Sequence, residues 1–140
     1  MSAQDFFEDD NLEHLFINLA LPNLGDAAGL QPSAGAGSFF TSLLTALPAE
    51  TVSDQTSNEA TYTPYARIGV ARSAAGWTVA AGVVDNDSPI TYATATSGSD
   101  TLTHFGLGFL DMVGVLASAL AVSVGITPEF ASGDLDVSFD

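Results

Sequence analysis

A chain of 140 residues, 46% of them hydrophobic, is long enough for one packed core and too apolar to be an acidic disordered tail. Seventeen acidic residues against two basic ones give a formal net charge of −15, which argues against nucleic acid or an anionic membrane as a partner. With no cysteine, neither a disulfide nor a thiolate metal site is available.

The first ten residues, MSAQDFFEDD, set Phe6 and Phe7 among acids and lack the basic-then-apolar order of a signal peptide. Leu12, Leu15, Phe16 and Leu19 then fall at i, i+3, i+4 and i+7, the spacing of one helix face. This predicts a short amphipathic helix near 10–20, capped by Asp9 or Asp10 and stopped by Pro22 and Gly25. Two readings of the helix stand: packing on its own domain, or docking a partner. Residues 22–38, PNLGDAAGLQPSAGAGS, have the composition of a linker or an extended arm. The expected division is therefore an N-terminal helix and flexible arm over 1–37 and a β-sandwich domain over 38–140.

Ser38 to Leu47 is aromatic and apolar enough for a strand buried on both faces, and Pro48 ends it. A polar loop follows, with turn chemistry at Asp54, Ser57 and Asn58. The stretch from Tyr65 to Phe109 organises the rest: it holds both arginines, Arg67 and Arg72, and the only tryptophan, Trp77. Its apolar runs are separated near Ala75-Gly76, at Asp85 to Pro89, and at Ser97 to Asp100. Val113 to Ala121 fits helix or strand equally, since Ala and Leu favour one and Val the other. The uncharged run from Met112 to Pro128 is interrupted by Gly and Ser and is too short to span a bilayer. Leu135, Val137 and Phe139 alternate with polar residues as a half-buried last strand. Short strands between turn signals predict an antiparallel β-sandwich, with strands near 38–47, 65–73, 77–84, 89–95, 101–109, 120–127 and 134–139. Ile68, Trp77, Phe105, Leu107, Val137 and Phe139 are the expected core.

Catalytic chemistry finds little support in these residues. His14 and His104 lie in unlike segments, and His104 sits in an otherwise uncharged strand, the setting of a hydrogen-bonded structural histidine. No G-x-S-x-G elbow is present, and nothing selects a carboxylate pair from seventeen acids. Asp85-Asn86-Asp87-Ser88 and Asp134-x-Asp136 carry oxygen ligands but miss the EF-hand pattern, and Asx-type turns account for them better. No enzyme activity, cofactor or metal is expected. For Arg67, a bidentate pair with the upstream Glu59 is the structural reading and an inter-subunit pair the functional one. The candidate partner-contact residues are Phe6, Phe7, Leu12, Leu15, Phe16, Leu19, Arg67 and Arg72.

Several motifs recur in a fixed order. They are Tyr65-Ala66-Arg67, the segment Pro89-Ile90-Thr91-Tyr92-Ala93-Thr94-Ala95-Thr96, Leu102-Thr103-His104-Phe105-Gly106-Leu107, Ile126-Thr127-Pro128, Phe130 to Leu135, and Val137 to Asp140. Over roughly 12–140 this order resembles small virion proteins of tailed bacteriophages labelled tail-fibre-like or head-decoration proteins. The chain departs from that pattern at Ser97-Gly98-Ser99-Asp100 and over 109–121. The resemblance implies a β-rich structural module of a virion, assembled in the host cytoplasm, with no catalytic residues. Compactness, together with no heptad and no repetitive shaft, points to a capsid decoration protein. Its partners would be the major capsid protein and neighbouring copies of itself. The alternative is a tail-fibre or tail-associated adhesion module.

Overall fold

The computed structural model describes residues 3–22, 24–49, 56–108, 114–122, 125–133 and 137–138, with backbone alone at 3–5, 114–122 and 137–138. Among these are one helix, α1 (Ala3–Phe16), and nine strands: β1 (Ser38–Leu44), β2 (Ile68–Ala71), β3 (Trp77–Ala80), β4 (Val83–Asn86), β5 (Ile90–Thr91), β6 (Asp100–Gly108), β7 (Gly114–Val122), β8 (Glu129–Phe130) and β9 (Val137–Ser138). They form sheets in the orders β2-β1-β6-β7, β3-β4-β9 and β5-β8. The β1–β6, β6–β7, β3–β4 and β4–β9 pairings are antiparallel. The fold is all-β with a short N-terminal helix.

The chain divides into two compact units. The first gathers the described residues of Met1–Ser38, Ala71–Ile90 and Phe130–Asp140; the second gathers those of Phe39–Val70 and Thr91–Glu129.

In the first unit α1 lies on the β3–β4 hairpin. Trp77 pairs with Asn86 and Val79 with Val84 across the hairpin, so these four residues share a face. Trp77, Val84 and Asn86 are buried there with Leu12 and Phe16, while Thr78 and Ala80, on the other face, are exposed. Asn86 is tolerated inside because its amide donates to the Ser88 carbonyl at 3.0 Å and the Ala131 carbonyl at 2.7 Å.

The sequence predicted one strand over 77–84 where the structure has a hairpin. Ala81 and Gly82 have φ of 55° and 78°, two consecutive left-handed residues that make a two-residue turn between Ala80 and Val83. Alanine rarely adopts that conformation, so Ala-Ala-Gly does not announce a turn. The turn is held from outside: the Gly82 N–H donates to the Asp9 carboxylate at 2.6 Å.

The helix itself starts earlier and ends earlier than the predicted 10–20. Asp9 and Asp10, expected as caps, lie inside it. It ends where Asn18 takes a left-handed φ of 57°, a conformation asparagine tolerates at helix ends, before Pro22 or Gly25 is reached.

In the second unit β1 is central, flanked by β2 and β6, and buried along most of its length, as its composition predicted. It stops at Leu44 instead of continuing to 47, because the Thr45 N–H turns to the Asn58 carbonyl at 2.8 Å. Gly69 on β2 leaves room for the Phe40 ring, which a Cβ there would meet at 3.2 Å. β6 carries a bulge between Leu102 and His104 against β7. Of the ambiguous 113–121 segment, the described residues 114–121 are strand, within β7. The expected strand over 89–95 keeps ladder geometry only at Ile90–Thr91. Beyond it Tyr92 and Ala95 donate to the Pro128 and Ile126 carbonyls at 2.8 and 3.0 Å, an irregular pairing that Pro128 cannot reciprocate. Of the expected core, Trp77 and Phe105 are buried and Ile68 and Leu107 half-buried. The Val137 side chain and Phe139 lie outside the described residues.

Candidate interaction surface

Helix α1 is fixed along its second half. Leu12 and Phe16, one turn apart, are buried, and the Phe16 ring meets Trp77 edge-on with centroids 5.2 Å apart. Its final carbonyls have no partner inside the helix, and Arg72 supplies one. The guanidinium donates to the His14 carbonyl at 2.8 Å and to that of Leu15, then to the Ala36 carbonyl at 2.8 Å. A cation at a helix C-terminus also faces the negative end of the dipole.

Arg72 thereby ties the Gly- and Ala-rich segment to the helix end. Asn18 reinforces the tie: its amide donates to the Ser33 carbonyl at 3.0 Å, and its oxygen accepts the Ser33 N–H at 3.0 Å and hydroxyl at 2.8 Å. Leu21 and Leu30 exchange both backbone hydrogen bonds at 2.9 Å, closing a loop whose turn is built by the Asp26 carboxylate accepting the Ala28 and Gly29 N–H groups. Composition alone read this segment as an arm; long-range hydrogen bonds give it a defined course.

The start of α1 faces outward. Phe6 is 57% exposed and Phe7 59%, beside the half-buried acids Glu8, Asp9, Asp10 and Glu13. Partial burial holds the Glu13 carboxyl above its ordinary value, and the charges of Asp10 and Asp9, one turn earlier, add to this. Glu13→Gln removes that repulsion and is expected to stabilise the protein by about 0.5 kcal/mol at neutral pH. Urea unfolding followed by Trp77 fluorescence measures it; a loss of stability would mean that the carboxylate has a favourable partner instead.

A second cluster belongs to the other unit. Glu59 accepts Arg67 through both oxygens, Nε to Oε1 at 2.8 Å and a terminal guanidinium nitrogen to Oε2 at 3.0 Å, the bidentate pair read from the sequence. The Tyr65 hydroxyl donates to Glu59 Oε1 at 2.7 Å and accepts the Leu43 N–H at 3.1 Å. Its ring stacks on Tyr92 with centroids 6.1 Å apart and meets Tyr62 at 5.5 Å. The Tyr92 hydroxyl donates to Thr41 Oγ1 at 2.8 Å, which donates on to the Ile68 carbonyl at 3.2 Å. Asp100 accepts the Thr61 and Tyr62 N–H groups at 2.7 and 2.9 Å. Burial raises all three phenols above their ordinary value; the hydrogen bond to Glu59 adds to this at Tyr65 and the Asp100 charge at Tyr62. Each hydroxyl is thus a neutral group at ordinary pH, and the cluster serves as a rigid brace.

The candidate contact residues separate accordingly. Phe6, Phe7 and Leu19 are exposed and Leu15 is half-buried. Leu12 and Phe16 are core residues of their own unit and are withdrawn as contacts, because helix periodicity identifies an apolar face without saying what covers it. Arg67 and Arg72 are each engaged within their own unit. His104 Nδ1 lies 2.8 Å from the Thr103 hydroxyl, and His14 Nδ1 lies 2.6 Å from the Leu19 carbonyl oxygen. Asp85 to Ser88 ends β4 and begins a turn in which Asp87 accepts the Thr78 hydroxyl at 3.1 Å. Asp134 and Asp136 lie outside the described residues. Among the described residues no group of three or more His, Asp or Glu could hold a metal ion, and no helix is long and apolar enough to cross a membrane. Sequence reasoning missed the Asp9–Gly82, Asn18–Ser33 and Asp100–Thr61 hydrogen bonds and the Tyr65–Tyr92 stacking, whose partners are distant in sequence.

A family model described as Podophage GP4 fiber I protein gp80 matches residues 29–138. No curated protein matches the chain.

Proposed function

The chain belongs to the family described as Podophage GP4 fiber I protein gp80, and on that basis we propose that it is a fibre component of a podophage tail. Family membership makes it a bacteriophage virion structural protein. The finer assignment rests on one observation: the fibre family's model runs through both compact units, from residue 29 to residue 138. Capsid decoration, the role expected from compactness and the missing shaft, has no such support, since a small β-rich module is as suited to a fibre as to a cement protein. The role proposed is structural and non-enzymatic, with other virion proteins, further copies of the chain, or both as partners.

Location tests this reading. Virions carrying a small epitope tag on this protein, labelled with gold-conjugated antibody, are expected to show label at the tail in electron micrographs. Label spread over the head surface would overturn the fibre assignment and restore decoration.

A further inference from the structure

We infer that Phe6 and Phe7 on α1 are a docking site for a different virion protein, one that offers an apolar groove bordered by Lys or Arg. The inference rests on the fibre reading, since a fibre component must attach to another part of the particle.

Three observations carry it. Phe6 and Phe7 are adjacent on the helix and more than half exposed, an unusual setting for two neighbouring phenylalanines. They project from a support already ordered by the buried Leu12 and Phe16, the Asp9–Gly82 hydrogen bond and the Arg72 clamp. A partner therefore meets a preformed helix end, with little ordering left to do on binding.

Charge then selects the partner. Glu8 and Asp10, both half-buried, lie within about one helical turn of the two phenylalanines along the chain, and neither has an ion-pair partner among the described residues. A second copy of the chain has little to offer them. The sequence holds only two basic residues: Arg67 is held by Glu59, and Arg72 by backbone carbonyls. A second copy would also bring a further formal charge of −15. The complementary surface, apolar with a cationic rim, must come from another chain.

The test is complementation of a gene-deleted phage with tagged full-length chains: wild type, Phe6→Ser/Phe7→Ser, and Glu8→Gln/Asp10→Asn. Purified virions are assayed for the amount and position of the protein, and the free chains for melting temperature and sedimentation. The phenylalanine variant should melt like wild type, because it alters exposed positions, and the charge variant at or slightly above wild type, because Asp10→Asn also relieves Glu13. The phenylalanine variant should be incorporated at least about tenfold less than wild type. The charge variant should fall between them, with the difference shrinking in high salt. Incorporation of Phe6→Ser/Phe7→Ser at the wild-type level, with label on the tail, overturns this inference and leaves the fibre reading standing. Wild-type label on the head overturns the fibre reading itself. A drop in sedimenting mass caused by Phe6→Ser/Phe7→Ser would identify a second copy as the occupant and likewise overturn the inference.

Discussion

Above about pH 10 the second unit is expected to lose stability at about 2 kcal/mol per pH unit. Tyr65 and Tyr92 both have phenols raised above the ordinary value, chiefly by burial. A phenol raised in this way keeps its proton in the folded protein after the unfolded chain has released its own. The stabilisation is complete below the unfolded value and is lost as pH climbs toward the folded one. Two such protons set an upper slope of about 2.7 kcal/mol per pH unit; solvent screening at the half-buried Tyr65 reduces it. All three tyrosines lie in the second unit and the sole tryptophan in the first, so tyrosinate absorbance and tryptophan fluorescence report the two units separately. Tyrosinate absorbance is expected to rise only together with loss of structure, well above pH 10. Tyr92→Phe should cost about 1 kcal/mol near neutrality, through its lost hydrogen bond to Thr41, and should flatten the alkaline slope by roughly half. A smooth tyrosinate titration centred near pH 10 in a protein that stays folded would contradict the assignment.

Arg72→Ala is expected to destabilise the first unit by about 2–4 kcal/mol. The guanidinium serves three carbonyls, on His14, Leu15 and Ala36, at one helix end. Removing it leaves these half-buried acceptors without their charged donor and removes the cation from the negative end of the dipole. Arg72→Lys should recover less than half of the loss, because one ammonium cannot reproduce a planar fork reaching two segments. Urea unfolding read by Trp77 fluorescence gives the magnitude. Hydrogen exchange gives the location: protection should fall first at the Leu21–Leu30 bridge and at the Ser33 amide that Asn18 accepts. A change below about 0.5 kcal/mol would mean that water replaces the guanidinium at little cost.

The sequence by itself determined what depends on local pattern. The apolar character of Ser38 to Leu47 specified a strand covered on both faces, which the structure keeps over Ser38–Leu44. Leu12 and Phe16, four residues apart, marked one apolar helix face, and Glu59 a few residues upstream of Arg67 offered the bidentate pair that the structure shows. The ordered motifs from Tyr65 onward pointed to phage virion proteins, the group to which the matching family belongs.

Tertiary structure decided what depends on residues far apart in the chain. The Ala81-Gly82 turn looks like uninterrupted strand until Asp9 arrives from the helix to bind it. The segment 22–38 has the composition of a linker, and nothing local reveals that Arg72 and Asn18 will hold it. Tyr92 joins Tyr62 and Tyr65 in one cluster only because the fold brings its segment to theirs. Periodicity marks a face as apolar but leaves open whether it is covered from within or from outside. Only packing separates Leu12 and Phe16, which are covered, from Phe6 and Phe7, which are not.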